Sequence, residues 1–175
     1  MKKAFCKAAV ICVLLASVSI GKENDVEQSI QEAGYWLSVE SSRLKILRTD
    51  LSEILKKKLV LKELDNPQIF HITLLIQNIF LAETICAYES LLLKSLDNLE
   101  ENKKLEQYNF HYTRLKESTL NRLYLNYQST QNDIANIDDK DIIQLADKAK
   151  DEMLKVLKEI ERVITILQNN NTNTP

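Results

Sequence analysis

Glycine and proline are nearly missing from this chain: two of each in 175 residues, and only Gly34 and Pro67 between Lys22 and Thr174. Glycine supplies the positive φ of tight turns, and both residues punctuate strands and loops. Sheets joined by hairpins, phosphate-cradling loops and α/β active-site turns all draw on that supply. A stretch of about 150 residues without it reads as helix after helix.

Histidine and cysteine are also scarce, with two and three copies. A ferritin-like di-metal site needs Glu-x-x-His pairs, because residues i and i+3 share a helix face. Gln68 precedes His71 by three positions and Tyr108 precedes His111, so that signature is absent. A Cys₂His₂ zinc site and a Cys-x-x-Cys-His haem attachment are missing as well. No metal ligand set, cofactor or catalytic residue is therefore assigned, and an enzyme is not expected. Cys86 with a histidine would lack loop-borne oxyanion donors for nucleophilic chemistry. His71 and His111 read as ordinary core or boundary residues.

Charge is close to balanced, with a net value of −2. Residues 1–21 carry three lysines and no acid, so the remainder carries −5. Such a chain has no global reason to bind nucleic acid or an anionic membrane. The one basic run, Lys56-Lys57-Lys58 with Lys62, reads as a solvated face at a helix C-terminus, where cations suit the dipole; the alternative is an anionic docking patch.

What is present begins with a leader. Residues 1–21 combine Lys2, Lys3 and Lys7 with an apolar stretch from Ala8 to Ala16 and the small residues Ser17, Ser19 and Gly21. This is a bacterial-style secretory signal peptide, with cleavage expected before Lys22. The alternative is a retained N-terminal anchor. Cys6 and Cys12 lie within the leader, so only Cys86 survives processing and no intrachain disulfide forms. Its apolar neighbourhood suits an inert core thiol. The helical domain is expected over 22–168, with 169–175 as a disordered polar tail.

Four segments carry helical periodicity. In the first, from Asp25 to Leu64, 4-3 spacing selects Val26, Ile30, Ala33, Leu37, Glu40, Leu44, Leu47, Leu51, Ile54, Lys58 and Leu61, apolar except for Glu40 and Lys58. Asn66 is expected to cap the second helix, with Pro67 at its first position. From Ile69 to Leu96, eighteen of twenty-eight residues are hydrophobic and cover more than one face, so this helix is central or meets a partner chain. Gln68, His71, Gln77, Asn78, Glu83 and Glu89 argue against a membrane span, and none is expected after signal cleavage. A turn at Asp97–Asn102 leads to a wetter, aromatic third segment marked by Leu105, Tyr108, Tyr112, Leu115, Leu123 and Tyr127. After Asn136–Asp139, with Asp138 or Asp139 as cap, Ile142, Ala146, Ala149, Met153, Val156, Ile160, Val163 and Leu167 form an unbroken 4-3 seam. The fold expected is all-α, an antiparallel up-down-up-down four-helix bundle; the alternative has three helices, the second and third segments fused into one bent rod.

The functional expectation is an exported, non-enzymatic bundle of the bacterial envelope or surface, periplasmic or secreted, acting through a protein partner or by homo-oligomerisation. Its candidate interaction surface is the aromatic set Tyr35, Trp36, Tyr108, Phe110, Tyr112, Tyr124 and Tyr127, since tyrosine and tryptophan bury large area while keeping a polar handle. The alternative is a small-ligand or metal-binding bundle of the sensor or carrier kind. A third possibility, an enzyme, requires Glu83, Glu89 and His71 in one cleft.

Overall fold

The computed structural model describes residues 2–96 and 99–172, with side chains over 25–96, 99–100 and 103–170. The chain is all-helical and forms a four-helix bundle. The first rod is α1 (Lys2–Leu61) and the second α2 (Asn66–Ser95). The third is α3 (Glu101–Arg114) and α4 (Leu120–Ile134), joined without a break by a π turn (Leu115–Thr119). The fourth is α5 (Lys140–Thr172). Each rod packs on the next, and α5 returns to α1, closing a ring.

Contacts at the two ends make neighbouring rods antiparallel. At one end Lys58 pairs with Asp139 at 2.5 Å, and the Asp138 amide reaches Gln68 Oε1. At the other, Lys104 pairs with Glu27 and Arg162 reaches the Ser29 carbonyl. The separate α2 and α3 rule out the fused-rod alternative; Asp97 and Asn98 of the expected turn lie outside the described residues. The helix of the first rod begins at Lys2, within the expected leader, and the last continues to Thr172, four residues into the expected tail.

The core follows the apolar seams. All eight seam positions of α5 are buried. On α1, Ile30, Ala33, Leu37, Glu40, Leu44 and Leu51 are buried, whereas Leu61 is exposed. The inner stripe of α2 is Ile72, Leu75, Ile79, Ala82, Cys86, Glu89, Ser90 and Leu93. Each large aliphatic side chain removed from water here is worth about 1.5–3 kcal/mol. Gly34 lets α1 approach α2 closely: a Cβ there would sit 3.2 Å from Lys94 Cγ and 3.3 Å from Leu93 Cβ.

Two helix ends differ from the sequence-based expectation. The cap of α2 is Asp65, not Asn66: Asp65 is extended, and its Oδ1 accepts the Gln68 amide at 2.9 Å. An aspartate three residues before that amide is the better acceptor, and Pro67 still falls in the first turn, where its missing N–H costs nothing. At the end of α1, Lys62 adopts a left-handed φ of 58°. The Glu63 amide then bonds to the Lys58 carbonyl, the Schellman arrangement usually built on glycine. Asp139 caps α5, its Oδ1 accepting the amides of Asp141 and Ile142.

Candidate functional site

Polar side chains enter the interior of this bundle at four levels, each joining a different pair of elements. Between α1 and α5, Glu40 is fully buried. Its Oε1 accepts from Arg43 at 2.5 Å, and its carboxyl lies beside that of Glu152. The Oε2 atoms of both glutamates are buried with no donor among the described residues. A proton on Glu40, favoured by its burial, is the donor this pair otherwise lacks. Burial, then the Glu152 carboxyl, pushes Glu40 up to about 7. Glu152, despite its own burial, is held below the usual range by Glu40 and Lys155.

Between α1 and α2, Arg48 donates to Glu83 at 2.7 Å and lies over the Phe80 ring. The Ser41 hydroxyl donates to the Glu83 carbonyl. Between α2 and the third rod, Glu89 accepts hydrogen bonds from Nη1 and Nη2 of Arg114 and from the Thr119 hydroxyl, the last at 2.8 Å. Arg114 also covers the Tyr88 ring and donates to His111 Nδ1 at 3.3 Å, which fixes that nitrogen as an acceptor. Burial, reinforced by Arg114, lowers the His111 pKa, so the imidazole is neutral near pH 7. Deeper along α2, His71 Nδ1 and Asp133 Oδ1 are 3.0 Å apart. Asn78 donates to Asp133 and Ser129, while Asn126 donates to the Asn78 carbonyl.

The π turn explains how the third rod serves the Glu89 level. His111, Leu115, Thr119 and Leu123 are all buried at a constant spacing of four. In an ideal α-helix, three steps of four drift by about 120°. The wider π turn absorbs one residue and keeps Thr119 facing inward. Polar interior residues and this insertion together give the third segment its wet, poorly periodic appearance.

Glu83, Glu89 and His71 therefore do not share a cleft. Glu83 faces α1, Glu89 faces α3 and the π turn, and His71 faces α4, with about 27 Å along the helix between His71 and Glu89. Among the described residues no group of three or more His, Cys, Asp or Glu side chains is placed to hold a metal ion. Cys86 is fully buried, and its surroundings push the thiol up to about 12, an inert group at neutral pH.

The aromatic set divides by burial. Tyr108 is buried, and Trp36, Tyr112 and Tyr127 pack half-buried on the core. Tyr35, Phe110 and Tyr124 are exposed, on α1, α3 and α4 respectively, with Tyr35 under the Lys94 ammonium.

A different surface carries the exposed apolar residues. Every exposed residue of α2 is uncharged: beyond its first turn they are Phe70, Thr73, Gln77, Phe80, Leu81, Thr84, Ala87, Tyr88, Leu91 and Ser95. These recur at 3-4 spacing and form a second stripe opposite the buried one. The charged residues of α2, Glu83, Glu89 and Lys94, are turned away into its flanks and core. Leu81 opens onto a shallow hollow shared with Arg122, Leu125, Asn126 and Ser129 of α4. Among the described residues α2 is long and apolar enough to cross a membrane, with a mean hydropathy of 1.6, and only a third of that window is buried in the bundle. The sequence signal for this face was the hydrophobic run itself, which covers more of the helix than one core stripe requires.

Comparison of the chain with protein-family models, with curated proteins and with solved structures gives no match.

Proposed function

We infer that this chain is an exported, non-catalytic bundle of the bacterial envelope or surface that acts by protein–protein contact through the outer face of α2. One observation carries the reading: along about 32 Å of helix, from Phe70 to Leu91, none of the exposed residues is charged. The other long helices expose charged residues throughout, such as Lys45, Asp50, Glu53 and Lys57 on α1 or Lys148, Lys155, Lys158 and Glu161 on α5. Soluble surfaces rarely leave a contiguous apolar patch of this size unless something covers it. The leader at residues 1–21 supports export, and the dispersal of Glu83, Glu89 and His71 supports a role without catalysis.

Affinity capture from the envelope fraction tests this. The wild-type chain is expected to retain a partner or a second copy, and Phe80→Asp with Leu91→Asp to lose it while keeping wild-type helicity. Identical capture by both proteins, or capture of nothing by the wild type, overturns the reading.

A further inference from the structure

We propose that the α2 face is covered by the α2 of a second copy of this chain, packed antiparallel about a two-fold axis between Phe80 and Leu81. The proposal rests on the reading of α2 as a contact face and goes beyond it by naming the occupant and its register.

The stripe is symmetric about that point. An antiparallel pairing centred there sets Phe70 against the partner's Leu91, Thr73 against the partner's Tyr88, Gln77 against the partner's Thr84, and Phe80 against the partner's Leu81. In these four pairings apolar meets apolar and polar meets polar, and each occurs twice by symmetry; Ala87 and Ser95 fall opposite positions 74 and 66. The Thr73 and Thr84 hydroxyls already donate to the Ile69 and Phe80 carbonyls, which leaves their oxygens free to accept. Gln77 supplies an amide donor for the partner's Thr84, and the Tyr88 hydroxyl a donor for the partner's Thr73. Moving the axis by half a heptad in one direction sets Gln77 against Leu91; in the other it sets Thr73 against Leu81. Both leave a polar group facing an apolar one, so the pattern favours the central register over these two.

Charge and area agree with a self-pair. A two-fold axis brings like residues near one another, so any exposed charge on the stripe would meet its own kind; α2 contributes none, and the nearest exposed cation is Arg122 of α4, in the hollow beside Leu81. Phe70, Phe80, Leu81, Tyr88 and Leu91 are 44–69% exposed. At about 200 Å² for a large side chain they offer roughly 560 Å², and the smaller stripe residues bring this to about 700 Å² per chain. That is close to the ~800 Å² per partner of a stable interface. A helix laid against α2 also reaches the hollow beside Leu81, where Leu125 of α4 is exposed.

Light scattering and cysteine cross-linking of the full chain, in a Cys6→Ser, Cys12→Ser background, test the register. Cys86 stays silent because its thiol is buried. Leu81→Cys, beside the axis, is expected to cross-link to itself. Thr73→Cys is expected to cross-link to Tyr88→Cys but not to itself, and Leu81→Arg to weaken the dimer at least tenfold. A monomer at all concentrations overturns the proposal, and so does vesicle binding without dimerisation. A monomer whose envelope capture still depends on Phe80 and Leu91 leaves the contact-face reading standing. A dimer indifferent to Leu81→Arg, or one in which Thr73→Cys self-links, also overturns the pairing.

Discussion

Glu40→Gln is expected to stabilise the protein in alkaline solution and to weaken it slightly in mild acid. Glu40 binds its proton more tightly folded than unfolded, because burial and the facing Glu152 carboxyl raise it from 4.5 to about 7. The stabilisation this gives is fully present below pH ~4.5 and is lost as pH rises through about 7. At ~1.4 kcal/mol per pH unit, roughly 3 kcal/mol is gone by pH 9. Glu152, held below its usual range, acts in the opposite sense: its contribution is present above pH ~4.5 and falls away in acid. The wild type should therefore be most stable in mildly acidic solution. Glutamine offers a neutral amide that donates to Glu152 at every pH, so the alkaline loss disappears. It forfeits the ion pair with Arg43, whose side chain is 53% exposed; such a pair is worth at most ~1 kcal/mol. The balance is a gain of about 2 kcal/mol at pH 9, roughly 4–8 °C in Tm, and a loss below ~1 kcal/mol at pH 5. Thermal and urea unfolding followed by circular dichroism at both pH values decides the matter. Parallel wild-type and variant profiles would refute the proton on Glu40.

Two further outcomes follow from the interior and the helix ends. Arg114→Leu strands the buried Glu89 carboxylate and is expected to cost about 3–5 kcal/mol, whereas Glu89→Leu combined with Arg114→Met should recover most of that loss in urea titrations, because no unpaired charge remains inside. Lys62→Gly relieves a left-handed residue at a helix end and is expected to stabilise by roughly 1 kcal/mol, read as a rise in the urea midpoint.

Much of this architecture was legible from spacing alone. The α5 seam is legible because all eight of its positions are apolar and buried. On α1, Glu40 already stood out as a charged residue on an apolar stripe; it keeps that place by pairing with Arg43 and Glu152 rather than by turning outward. The third rod was obscure for two physical reasons. Its inner face carries His111, Thr119, Asn126, Thr130 and Asp133, which hydrophobic patterning counts as surface, and its period changes at the π turn. The aromatic set shares a residue type but not an environment: Tyr108 is buried in the core, Trp36 packs half-buried against it, and Tyr35, Phe110 and Tyr124 are exposed. The outer stripe of α2 was visible as excess apolar content; its lack of exposed charge emerged only once Glu83 and Glu89 were seen to turn toward α1 and α3.

Those two glutamates also bear on the handedness of the bundle. A ring of four antiparallel rods has a mirror-image arrangement that would keep the same seams and the same sequence neighbours. Glu83 and Glu89 are six residues apart, hence about 120° around the helix, Glu89 within the buried stripe on the side of the third rod and Glu83 at the edge of that stripe on the side of α1. In the observed ring each finds a guanidinium, Arg48 on one side and Arg114 on the other. Reflection would swap their neighbours and carry both carboxylates away from these cations, so greasy ridges alone leave left and right open while two acids on one helix choose between them.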